Sequence, residues 1–147
     1  MGKKTDEIKT LIRVQSWTVD EQRRVLSQLQ GREESLIADC AHLDRQLLHE
    51  QQVAAADPTM AGQAYVAYAR NNRIQHANLQ TVITALRVEI EQQREVLAET
   101  YRELKTLEEV EKKWLEAERK EAARIEQNNL DEIAQNLHRR QQALETA

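Results

Sequence analysis

The residues best equipped for chemistry are one cysteine, the histidines and a large stock of carboxylates. A thiol nucleophile needs an adjacent base in an electropositive setting. Cys40 instead falls on an apolar seam, where a free cysteine acts as a small core filler. His42 and His49 are seven residues apart and can share one helix face, but two ligands are too few for a closed metal site. They read as solvated surface side chains. His76 occupies a seam position and reads as a polar core residue that helps to fix register. A catalytic carboxylate pair needs a desolvated cleft that drives two pKa values apart, and a pair of helices offers none. A phosphate loop needs clustered glycines, whereas Gly2, Gly31 and Gly62 each stand alone. No catalytic, cofactor-binding or metal-binding residue is therefore assigned.

The elements that carry these residues are helical by composition. The chain has 147 residues with 3 Gly, 1 Pro and no Phe, and 31% of it is charged. Such a composition belongs to a long helix or coiled coil rather than to a globular core. The net charge of −4 argues against nucleic acid as a partner. A single cysteine rules out an internal disulfide and suits a reducing compartment. No apolar run approaches the roughly 20 residues that a membrane span requires, so direct membrane insertion is not expected and the chain reads as cytoplasmic.

The strongest punctuation is Ala54-Ala55-Ala56-Asp57-Pro58-Thr59. Asp57 suits an N-cap, and Pro58 suits the first helical position after it. This predicts one domain over residues 1–147, with a helix over about 5–54, a turn over about 55–60 and a helix over about 58–142. Thr5 is the expected cap of the first helix, with Asp6 and Glu7 in its first turn.

Spacings of four and three alternate through Ile8, Ile12, Gln15, Val19, Gln22, Leu26, Leu29, Glu33, Leu36, Cys40, Leu43 and Leu47. Nine of these twelve are apolar, the mark of a coiled-coil seam. A second seam runs through Tyr65, Ala69, Asn72, His76, Leu79, Ile83, Leu86, Ile90, Gln93, Leu97, Thr100, Leu104, Leu107, Glu111 and Trp114. Its densest part is Leu79 to Ile90. Gly31 interrupts the first helix as a soft spot worth about 1 kcal/mol.

After Trp114 the seam fades into twelve charges over residues 108–126. Glu108–Lys112, Glu109–Lys113 and Glu116–Lys120 are i,i+4 pairs that support a helix without burial. The helices are about 75 Å and 120 Å long. Folding them back around residue 57 sets Ile8 against Leu107 and leaves no partner beyond Trp114. The fold class is thus all-α: an antiparallel coiled-coil hairpin whose second helix is longer and overhangs.

Two surfaces could meet partners. Residues 51–87 carry three basic groups and one acid, together with Tyr65, Tyr68 and Ile74. Tyr and Arg are enriched at interfaces. For Tyr68, Arg70 and Ile74, packing of the turn end and an exposed interface both stay open. At the other end, Trp114 either packs on Met1 and Ile8 or presents an aromatic anchor. The stripe Leu130, Ile133, Leu137 and Leu144 has no intramolecular cover, which points to a partner groove, self-association or fraying.

The runs Tyr101-Arg102-Glu103-Leu104-Lys105, Leu107-Glu108-Glu109-Val110-Glu111-Lys112-Lys113, Ala122-Ala123-Arg124-Ile125-Glu126-Gln127 and Leu130-Asp131-Glu132-Ile133-Ala134, with Tyr65-Val66-Ala67-Tyr68, resemble the flagellar export protein FliJ family. The likeness covers nearly the whole length. It implies a stalk-like protein that enters the hexameric export ATPase ring and contacts the export gate membrane protein and the export chaperones, at the periphery of the inner membrane. Carried over, ring contacts fall on Ile8, Arg13, Trp114, Arg119, Arg124, Leu130, Ile133 and Leu137. Gate contacts fall on Tyr65, Tyr68, Arg70 and Ile74. Asn72, Gln75 and His76 make that face more polar than the family's pattern. The competing readings are an adaptor coiled coil and a secretion chaperone, neither linked to an ATPase.

Overall fold

The computed structural model describes residues 2–57 and 61–146. Two helices, α1 (Gly2–Ala56) and α2 (Ala61–Glu145), pack against each other as an all-α hairpin, with no strand among the described residues. Their continuity follows from composition: few glycines, and threonines that satisfy themselves. The hydroxyls of Thr10, Thr81, Thr84, Thr100 and Thr106 each donate to the carbonyl four residues back, so a β-branched polar residue continues the helix. Asp57 is out of helix, and the expected cap partner Pro58 lies outside the described residues.

Thr5 does not cap α1. The helix begins at Gly2, no acid lies in its first turn, and Thr5 is buried inside it. A hydroxyl facing a second helix is worth more there than at an end, because it finds a carboxylate partner.

The chain divides into two compact units, residues 1–17 with 102–147 and residues 18–101. In the first, Gln15 Nε2 donates to Glu103 at 2.9 Å and the Thr5 hydroxyl donates to Glu118. These bonds bracket Ile8 and set it level with Glu111, one turn beyond the expected Leu107. Ile8 and Leu104 are buried.

In the second unit, Asn72 Nδ2 donates to the Leu43 carbonyl at 2.9 Å. Gln93 Nε2 donates to the Gln22 carbonyl at 3.4 Å, and Arg87 meets Glu33 at 3.2 Å. Together they fix one antiparallel register, in which Leu36 is level with Ile83, Cys40 with Leu79, and Ala54 with Tyr65. Val19, Cys40, Ala69, Ile83, Leu86 and Ile90 are buried. The expected seam is the buried stripe: each of its positions in this unit is buried or half-buried. Burying these apolar side chains contributes roughly 1.5–3 kcal/mol each.

Candidate partner-binding surfaces

In the first unit, Ile8 is core, sealed at 3% exposure, and is not available to a partner. Arg13 and Arg119 are exposed. Trp114 is 39% exposed and stands beside Lys4, Thr5, Ala117 and Glu118 in a shallow groove. Met1, its other expected neighbour, lies outside the described residues. The indole is therefore neither sealed nor free: one side rests on the start of α1 and the other meets solvent.

Cover by α1 extends past Trp114. Glu118 is tied to Thr5, and Glu118 and Glu121 are half-buried. From Ala122 to Thr146 every residue is exposed. The overhang thus starts about one turn later than the fading seam implies, because charged side chains occupy seam positions there. Within it, Arg124 grips Glu121 at 2.7 Å. The hydrogen bond and charge of Arg124 hold the Glu121 carboxyl below its usual range, and the same pair raises Arg124 above its own. Glu116 meets Lys120 at 3.7 Å, whereas Glu108 is taken by Lys105 at 3.2 Å. Leu130, Ile133 and Leu137 lie fully on the surface. Their spacing of three and four puts them on one face.

This unit also exposes an aromatic that the seam pattern does not mark. Trp17 is 66% exposed, one turn from exposed Val14. It lies two residues from the seam positions Gln15 and Val19, which turns it to the opposite side of α1. An aromatic off the seam of a coiled coil is the signal that could have found it. Arg13, one turn earlier, shares its side of the helix.

In the second unit the four expected gate residues separate. Tyr65 and Tyr68 are half-buried against Glu50, Val53 and Ala54 of α1. Tyr68 also closes a shallow groove that holds His42, Arg45 and His49. Arg70 and Ile74 are exposed and share an outward face one turn apart. Val66, also exposed and one turn earlier, completes that stripe. The tyrosines thus pack the turn end, while Val66, Arg70 and Ile74 are presented to solvent. His76 Nε2 lies 3.4 Å from Asp44.

No group of metal-binding side chains occurs among the described residues. No described helix is long and apolar enough to cross a membrane. The family model described as Flagellar FliJ protein matches residues 4–143. No curated protein and no solved structure matches the chain.

Proposed function

Because this chain belongs to the flagellar FliJ family, we propose that it serves flagellar type III protein export as a stalk, entering the hexameric export ATPase ring and promoting its assembly and turnover. The observation that carries this reading is the uncovered stripe Leu130, Ile133 and Leu137 on a helix that continues without an intramolecular partner among the described residues. An apolar helical face of this kind fits a groove on a larger body. Arg13, Trp17, Trp114, Arg119 and Arg124 supply further aromatic and basic anchors in the same unit. Ile8 contributes indirectly, by holding the start of α1 in place.

At the turn end, Val66, Arg70 and Ile74 form the face offered to the export gate protein, with Tyr65 and Tyr68 packed behind. Export chaperones are further partners. The protein works in the cytoplasm, at the periphery of the inner-membrane export apparatus.

The test is to add the protein to the purified export ATPase at micromolar concentration and follow hexamer formation and ATP turnover. Both should rise, and Leu137→Asp should abolish the rise. If neither moves with the unsubstituted chain, the stalk role is wrong. Complexes with unfolded export substrates and no effect on the ATPase would favour the chaperone reading instead.

A further inference from the structure

The second unit carries an imbalance in its seam. In the observed register most polar seam residues sit level with an apolar one. Gln22 is level with Leu97, Gln93 with Leu26, Glu33 with Leu86, His76 with Leu43 and Asn72 with Leu47. The polar groups escape sideways: Asn72 and Gln93 reach backbone carbonyls, and the buried Gln22 Oε1 has no partner among the described residues. Each such layer gives up apolar contact, and at Gln22 it leaves a buried polar atom without a partner among the described residues.

Move α2 by one heptad, so that each α1 position meets the α2 position seven residues later, and the mismatch disappears from Leu29 to Glu50, though Gln22 then meets Leu104 and Leu26 meets Thr100. Leu29 comes level with Leu97, Leu36 with Ile90, Cys40 with Leu86, Leu43 with Ile83 and Leu47 with Leu79. The polar positions meet each other: Glu33 with Gln93, and Glu50 with His76. Seven consecutive layers are then matched. A shift of one heptad the other way is no improvement, since it sets Glu33 against Leu79, His76 against Leu36 and Asn72 against Cys40. The matching therefore belongs to one direction only.

We propose that this unit is a two-register coil: the observed register, and a second one displaced by about 10 Å along the helix axis. In the second register the opening turns of α2 leave α1. Tyr65 and Ala69 lose their level partners Ala54 and Glu50, and the Asn72 bond to Leu43 breaks. Because both helices are continuous, the bonds of Gln15 to Glu103 and of Thr5 to Glu118 break as well, and these are the costs that favour the observed state. The longer loop adds little, because closure entropy grows only logarithmically with length. The shift turns a displacement of one helix into release of the turn end with Tyr65 and Tyr68.

Cysteine pairs in the full-length Cys40→Ser chain test this. A disulfide needs Cα atoms within about 7 Å, less than the displacement between registers. Leu36→Cys with Ile83→Cys reports the observed register. Leu43→Cys with Ile83→Cys reports the second, and Leu29→Cys with Ile83→Cys reports the opposite shift. Under mild oxidation the first two pairs should close within one chain and the third should not. A 43/83 pair as inert as the 29/83 pair overturns the proposal. Adding Gln93→Leu and His76→Leu, which match Leu26 and Leu43 in the observed register and mismatch Glu33 and Glu50 in the other, should slow 43/83 closure about tenfold. An unchanged rate would also overturn it. Finally, amides of residues 65–70 should exchange at least about tenfold faster in the 43/83-locked chain than in the 36/83-locked chain. Equal exchange means that the turn end is not released and sinks the proposal. Circular dichroism of each variant confirms that helicity is retained.

Discussion

Asn72 is buried between the helices of its unit, and its amide nitrogen donates to the backbone carbonyl of Leu43 at 2.9 Å. That carbonyl belongs to the middle of a helix, so the bond is one the helix itself does not require. It ties one position of α2 to one position of α1. Asn72→Ala should lower stability by about 1 kcal/mol or more, since a buried side-chain bond and its packing go together. Urea unfolding followed by circular dichroism measures this, and an unchanged midpoint would show that the bond carries no weight.

Gly31 gives the opposite sign. It is exposed in the interior of α1, and a Cβ added there would meet nothing within 4 Å. Gly31→Ala should stabilise the protein by about 1 kcal/mol. A thermal melt shows this as a rise in midpoint; a fall would mean that the position is under a constraint the helix does not explain.

Leu86 and Leu137 are the same residue type in opposite settings, at 3% and 60% exposure. Leu86→Asp buries an unpaired carboxylate in the seam and should cost at least about 3 kcal/mol. Leu137→Asp should leave the melting curve within about 0.5 kcal/mol of the parent. Equal losses from both would show that the stripe at Leu137 is core.

The pair Glu121–Arg124 has a defined pH sign. The folded-state carboxyl titrates below its unfolded value, because Arg124 hydrogen-bonds it and stands beside it. Its contribution is therefore complete above the ordinary carboxylate range and is lost as pH falls through the depressed folded value. Arg124 is exposed and the half-buried Glu121 keeps 44% of its side-chain surface in solvent, so salt screens the effect. A carbon-detected NMR titration of Glu121 should show the depression, and Arg124→Gln should return it to the ordinary range.

The seam was legible in the sequence because a period of three and four residues is a direct imprint of helix packing. Through the second unit its positions coincide with the covered residues. The register between helices was not legible in the same way. Folding at residue 57 put Ile8 against Leu107, while the bonds of Thr5 and Gln15 set it level with Glu111. Periodicity fixes which face of each helix is buried, but turn length and a few polar contacts fix which residues meet. The same limit hid the Thr5–Glu118 bond and the late start of the overhang, since a glutamate on a seam reads as solvated. Among the candidate contact residues, Ile8 lies in the core, and Tyr65 and Tyr68 pack the turn end. Val66 and Trp17 lie off the seam, where periodicity carries no signal.

The helix beyond Glu121 is held by contacts within itself, such as Arg124 with Glu121 and Gln127 with Asp131. Among the described residues nothing long-range reinforces it, and isolated helices are marginal and melt gradually. Heating will therefore unravel this end before the cooperative transition of the paired segments, as a sloping baseline in ellipticity. A protease should find it first. In the cell, the length of ordered rod would be set by whatever occupies that face, so occupancy itself becomes a measurable extension of the molecule.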